Sequence, residues 1–130
     1  YAHHPAEIKV TLEAAKKMGY KHVWAVHQPF TFTRTSLLLD DFAEVLQIAD
    51  RCVVSAIMGS REVNTIGIKA TNLSSKIPGA VQLDTFEEIC DYVCDNAESG
   101  DLVITLGCGD VYKVARMMCK KLKEREEQNA

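Results

Sequence analysis

The chain has 130 residues, a formal net charge of −3, and 47% hydrophobic against 25% charged residues. That is the length of one domain core, ~100–150 residues, and a composition that excludes intrinsic disorder. The acidic balance argues against a surface built to grip nucleic-acid phosphates, and no apolar run approaches the ~20 residues of a membrane span.

Pro5 suits a first helical turn, and Ile8, Leu12, Ala15 and Met18 recur at helical spacing up to Gly19, which predicts a helix. Residues 22–27 predict a short buried strand, and 28–35 a polar loop. Leu38, Phe42, Val45, Leu46 and Ala49 form the apolar face of a second helix, followed by a strand over 51–57. Residues 59–65 are expected as a loop, and Thr71 is expected to cap a short helix that reaches Ile77 before Pro78-Gly79. A short strand is predicted over 80–83. Asp84 or Thr85 then caps a helix with Phe86, Ile89, Cys90, Val93 and Ala97 facing inward. Gly100-Asp101 turns into an apolar strand over 102–106, of the kind buried on both sides. After Gly107-Cys108-Gly109-Asp110 comes a last helix carrying Val111, Val114, Ala115, Met118 and Leu122. Its end holds both signs of charge, with Lys120/Glu124 and Lys123/Glu127 at i,i+4 spacing, and reads as a solvated helix end. Trp24 and Tyr92 lie in apolar patterns and read as packing residues.

Strands alternating with helices predict an α/β fold: a Rossmann-like, doubly wound, mostly parallel sheet with helices on both faces, in one domain over 1–130. The opening helix has no strand before it, so a first strand is expected upstream of Tyr1, and the chain reads as part of something longer. In such a sheet, ligands bind beyond the carboxyl ends of the strands. The loops at 1–5, 28–35 and 107–110 are therefore expected on one edge, the candidate site.

The five cysteines, Cys52, Cys90, Cys94, Cys108 and Cys119, are odd in number and include no Cys-x-x-Cys pair. They suggest neither a disulfide framework nor a zinc ribbon, and fit a reducing cytoplasm. Gly107-Cys108-Gly109-Asp110 opens a helix after a strand, so its amides can approach an anion. A dinucleotide fingerprint would need glycine where Tyr112 stands, and no Gly-x-x-x-x-Gly-Lys-Ser/Thr phosphate loop occurs. The plain reading is a tight turn with Asp110 as helix cap. Cys108 stands where a nucleophile elbow would put a reactive thiol, which leaves a stand-alone thiol enzyme as an alternative. His3, His4 and Glu7 are too few for a structural metal site, so no protein-borne metal is expected. Arg34, in Thr33-Arg34-Thr35-Ser36, presents a planar fork suited to a carboxylate or phosphate.

Three strings carry a resemblance: Tyr1-Ala2-His3-His4-Pro5-Ala6-Glu7-Ile8, Gln28-Pro29-Phe30-Thr31-Phe32-Thr33-Arg34-Thr35, and residues 100–110 ending in Gly107-Cys108-Gly109-Asp110. With Asp40-Asp41-Phe42 and Gly59-Ser60-Arg61-Glu62 in order between them, the chain resembles the C-terminal domain of the Mur ligases from first residue to last. Within the family it is most similar to the members that join L-alanine to UDP-N-acetylmuramate. The resemblance implies an ATP-dependent amide-forming step of cytoplasmic peptidoglycan synthesis in bacteria. The carboxylate is phosphorylated and the amine attacks the acyl phosphate. ATP and Mg2+ would be bound mainly by a central domain, and the sugar nucleotide by an N-terminal domain. These are the partners of a domain inactive alone.

Carried over by position, the resemblance implies catalytic roles for His3 and His4 and substrate contacts from Tyr1 and Arg34, the latter on the amino acid's carboxylate. It further implies nucleotide contacts from His3, His4, Gly107, Gly109 and Asp110. The chain departs from the family's common pattern at Phe30 and Thr31, where His and Arg are usual, and an apolar ring donates no hydrogen bond. The alternative within the family is a recycling ligase that attaches a preformed tripeptide to UDP-N-acetylmuramate.

Overall fold

A computed structural model of the chain describes residues 4–59 and 67–128, with side chains as far as residue 124. The elements are α1 (Pro5–Lys16), β1 (Val23–His27), α2 (Phe32–Leu37), α3 (Leu39–Leu46), β2 (Arg51–Val54), α4 (Ala70–Ser74), β3 (Val81–Gln82), α5 (Phe86–Asn96), β4 (Leu102–Leu106) and α6 (Tyr112–Gln128). All four strands run parallel in the order β3-β2-β1-β4. In the register of the two central pairs, Ala25 lies opposite Cys52 and Ile104, and His27 opposite Val54 and Leu106.

The strand alternation splits the core in two. On one face, Val23, Ala25, Cys52, Val54 and Leu106 meet Ile8 and Leu12 of α1, Phe42 and Leu46 of α3, and Leu73 of α4. On the other, Trp24, Val26 and Val53 meet Ile89 and Val93 of α5 and Val114 and Met118 of α6. The step from β1 to β2 crosses through α3 on the first face. The step from β3 back to β4 crosses through α5 on the second. Reversing both direction and face keeps the hand, as the right-handed crossover rule requires.

Most elements follow local signals. His4 caps α1 by accepting the Ala6 N–H on Nδ1 at 3.2 Å, with Pro5 just inside the helix. Thr85, not Asp84, caps α5: its hydroxyl accepts the Glu88 N–H and donates to the Glu88 carboxylate. Trp24 is buried and sits edge-on to Tyr92, in packing roles.

Other boundaries differ from expectation. Met18 lies beyond the end of α1 and is exposed, because the backbone turns out of the helix ahead of Gly19 at φ +83°. The loop expected over 28–35 contains α2, whose start is held by Thr31. The second strand ends at Val54 and the third covers only Val81–Gln82. Lys69, not Thr71, precedes α4, because Asn72 reaches back to the Lys69 N–H, and the helix stops at Ser74. β4 is an edge strand: Leu102–Thr105 are only half-buried, not covered on both sides. Beside it a largely apolar cleft of about 440 Å³ opens between α5 and α6, lined by Val93, Ala97, Val103, Met118 and Leu122. Lys121 of α6 pairs with Asp91 of α5, whereas the expected partner of Lys123, Glu127, falls outside the described side chains.

Candidate functional site

Parallel strands present all their carboxyl ends on one edge, and here the loops after β1 and β4 are bound to each other on that edge. Gln28, directly after β1, donates its backbone N–H to Leu106 O at 2.9 Å and its side-chain Nε2–H to Asp110 Oδ1 at 2.9 Å. The residue is buried, and its Oε1 has no partner among the described residues. The turn at 107–110 is shaped around it. A Cβ at Gly109 would stand 2.6 Å from Gln28 Oε1, and one at Gly107 would stand 3.2 Å from Gln28 O. Both glycines therefore have a packing reason. The Asp110 carboxylate is taken by Gln28, with Lys113 at 3.7 Å, so it does not cap α6. What holds the turn there is the Asp110 carbonyl, which accepts the Lys113 N–H.

The loop after β1 is also tied to the one after β2. Phe30 forms a parallel bridge with Met58, flanked by Met58 N–H to Pro29 O and Thr31 N–H to Met58 O, each 2.8 Å. The Phe32 ring lies where a side chain at Gly59 would be, 2.4 Å from an ideal Cβ. Beside this ring a cleft of about 430 Å³ opens over the ends of β2 and β3, lined by Phe32, Ile57, Ile68, Lys69, Gln82 and Asp84.

Arg34 sits in the first turn of α2, half-buried, and its guanidinium makes no hydrogen bond or ion pair among the described residues. A half-buried fork without a protein acceptor is suited to an anion, and its planar geometry to a carboxylate held by two bonds. His4 is exposed at the start of α1, on the same edge because α1 runs antiparallel to β1. Accepting the Ala6 N–H fixes Nδ1 as the unprotonated nitrogen and leaves Nε2–H as a donor. Tyr1 and His3 lie outside the described residues, as does Arg61-Glu62. Among the described residues, no three His, Cys, Asp or Glu side chains converge as a metal site, and no helix is long and apolar enough to cross a membrane.

Beneath the edge, His27 is fully buried against Phe42, with ring centroids 5.3 Å apart, and neither ring nitrogen has a partner among the described residues. Burial pushes its imidazole down to about 4, the Leu106 backbone opposing in part. Cys108 is half-buried in its turn, and no described histidine serves it as a base. Nδ1 of His4 is committed to its cap, His22 bonds to Asp101 at 3.0 Å, and the His27 ring nitrogens have no partner among the described residues. The roles of Gln28 and Thr31 escaped the sequence reading, because their partners lie 82 and 27 residues away.

The family described as "Mur ligase, glutamate ligase domain" matches residues 1–109. The UDP-N-acetylmuramate–L-alanine ligase of Acetivibrio thermocellus is 45% identical over 124 residues, which is 92% of this chain and 26% of that protein. Among solved structures, UDP-N-acetylmuramate-alanine ligase from Thermotoga maritima superposes with a TM-score of 0.73 at 22% identity, covering 96% of this chain and 26% of the other. The Thermotoga maritima MurF ligase in complex with ADP gives 0.71 at 19% identity, covering 96% and 28%. The chain thus spans about a quarter of the length of the relatives it matches.

Proposed function

We infer, for a chain that belongs to the Mur ligase family through its glutamate ligase domain, that it serves as the C-terminal domain of an ATP-dependent ligase joining L-alanine to UDP-N-acetylmuramate. In this reading residues 1–130 are one of three domains, and the cytoplasmic location belongs to the same proposal.

The observation that carries the reading is the Arg34 guanidinium on the sheet's carboxyl edge, unpaired among the described residues. It receives the carboxylate of L-alanine through its fork and so orients the amine toward the activated carboxylate of the sugar nucleotide. His4 contributes as a donor through Nε2–H, because its other nitrogen is occupied by the helix cap. Tyr1 and His3 remain in the proposal by their sequence positions alone.

ATP supplies the phosphoryl group that activates the carboxylate. Nothing among the described residues is built as its phosphate cradle: Gly107 and Gly109 make room for Gln28, and the Asp110 carboxylate is engaged. The nucleotide contacts implied for this turn are therefore left to its backbone, and Mg2+ to the rest of the enzyme.

The test uses the full-length protein. Phosphate release is followed with ATP, magnesium and UDP-N-acetylmuramate, adding L-alanine, glycine, L-serine or a muropeptide tripeptide in turn. Turnover that requires L-alanine and collapses in Arg34→Ala supports the reading. Turnover with the tripeptide alone replaces it with the recycling ligase.

A further inference from the structure

Thr31 is the one non-glycine residue with positive φ among the described residues, at φ 63° and ψ 144°. For a β-branched side chain this is strained backbone, and such a conformation persists only where the surroundings over-determine it. Here they do. The Thr31 N–H is fixed on Met58 O at 2.8 Å, and the Thr31 carbonyl accepts both the Thr35 N–H at 3.2 Å and the Thr35 hydroxyl at 2.7 Å. Thr35 is itself fully buried. The Thr31 hydroxyl accepts the Arg34 N–H at 3.2 Å. At this one residue the extended rung 29–31 reverses into α2, and the backbone of Arg34 is fastened to the side chain that makes the reversal.

We propose that Thr31 is the positioning residue for Arg34: its strained backbone sets the direction of α2, its hydroxyl locks the Arg34 amide, and the two together aim the guanidinium at the incoming amino acid's carboxylate. The proposal rests on the reading of Arg34 as the carboxylate clamp. A glycine would adopt the same dihedral angles without cost, but would leave α2 free to swing. The branched side chain has restricted χ1 freedom, so its hydroxyl stays on the Arg34 amide.

The experiment uses the full-length enzyme with Thr31→Val, Thr31→Ser, Thr31→Gly and Arg34→Ala, measuring kcat, the KM of each substrate and the melting temperature. Thr31→Val keeps the branched shape and removes the hydroxyl. It is expected to raise the KM for the amino acid about tenfold, leaving the KM for ATP and for the sugar nucleotide unchanged. Thr31→Ser, which keeps the hydroxyl, is expected to restore the amino-acid KM to within about threefold of the parent. Thr31→Gly is expected to raise the same KM without lowering the melting temperature. A purely structural role would instead move all three KM values together with the melting temperature, and would overturn the proposal. If Arg34→Ala raises the amino-acid KM while Thr31→Val and Thr31→Gly leave it alone, Thr31 is eliminated and the clamp survives. If Arg34→Ala has no effect on that KM, the clamp itself is wrong.

Discussion

Gln28 donates to Asp110 across 2.9 Å and fastens the loop after β1 to the loop after β4, two segments 82 residues apart in the chain. The Gly107-Cys108-Gly109 turn wraps this side chain, so its glycines answer to a neighbour within the fold. Gly109→Ala, which sets a methyl 2.6 Å from Gln28 Oε1, is expected to cost about 1–2 kcal/mol. Urea unfolding of Gly109→Ala, Gln28→Ala and the double variant checks it. The double variant should cost less than the sum, since removing the Gln28 side chain removes the clash.

His27 gives the chain an acid-sensitive core. Its imidazole titrates at about 4 when folded, against an ordinary 6.5. Above about 6.5 the ring is neutral in both states and the stability is full. As pH falls from there toward 4 the unfolded chain takes up a proton that the folded one refuses. About 3 kcal/mol is lost across that window. Unfolding midpoints measured from pH 7 to pH 4 should fall accordingly, and His27→Phe should flatten the curve.

Asp101 is a second anchor, at the opposite edge of the sheet. Its side chain is 3% exposed and receives Trp24 Nε1–H at 3.0 Å, the Glu98 N–H at 2.9 Å, and His22 Nδ1 at 3.0 Å. Burial alone would push this carboxyl up, but the hydrogen bonds from Glu98 N–H, Trp24 and His22 outweigh it and hold it below the usual range. Its contribution is therefore present above the ordinary carboxylate range and lost as pH falls through the depressed value. Asp101→Ala strands a buried indole N–H and is expected to cost about 2–3 kcal/mol. Trp24 is the chain's only tryptophan, so its emission reports the loss directly.

Arg34→Ala in the full-length enzyme is expected to lower kcat/KM for the amino acid about a hundredfold or more, the worth of two charge-assisted hydrogen bonds. The melting temperature should not change, because the guanidinium has no described protein partner to lose. Arg34→Lys should recover only a small part, since an ammonium cannot engage both carboxylate oxygens in one plane. Steady-state kinetics on the three proteins decide it.

The cysteines should separate cleanly under alkylation of the native chain. Burial pushes the Cys52 thiol up to about 12, and burial together with neighbouring Cys94 pushes Cys90 up to about 11. Exposed Cys119 and half-buried Cys108 are expected to label, while Cys52, Cys90 and Cys94 stay blocked. Peptide mapping after a short pulse of iodoacetamide gives the order. Labelling of Cys108 far ahead of Cys119 would revive the thiol-enzyme alternative.

The elements with local causes were legible in the sequence. Pro5 marks the start of α1, the Asp84-Thr85 pair the start of α5 without deciding between them, and the apolar run at 102–106 a strand. What stayed hidden depends on distant partners. α2 has no apolar period of its own and starts where Met58 pins Thr31. The run at 102–106 carries no sign of its place in the strand order, so a strand expected to be covered on both sides stands at the edge. Asp110 follows the pattern of a helix cap, yet Gln28 claims its carboxylate. The meeting of the 28–35 and 107–110 loops on one edge was readable, whereas the bonds that brace them, Gln28 to Asp110 and Thr31 to Met58, were not.

The open margin of β4 has a consequence for anyone handling the chain alone. Among the described residues only one side of this strand is hydrogen-bonded, and its five residues, Leu102 to Leu106, include no proline and no charge. Natural edge strands blunt themselves with those devices. This one behaves as half of a zipper, with outward amides and half-covered aliphatic side chains ready to engage any extended segment they meet. The isolated chain is therefore expected to associate as its concentration rises, and Val103→Lys is expected to reduce that association.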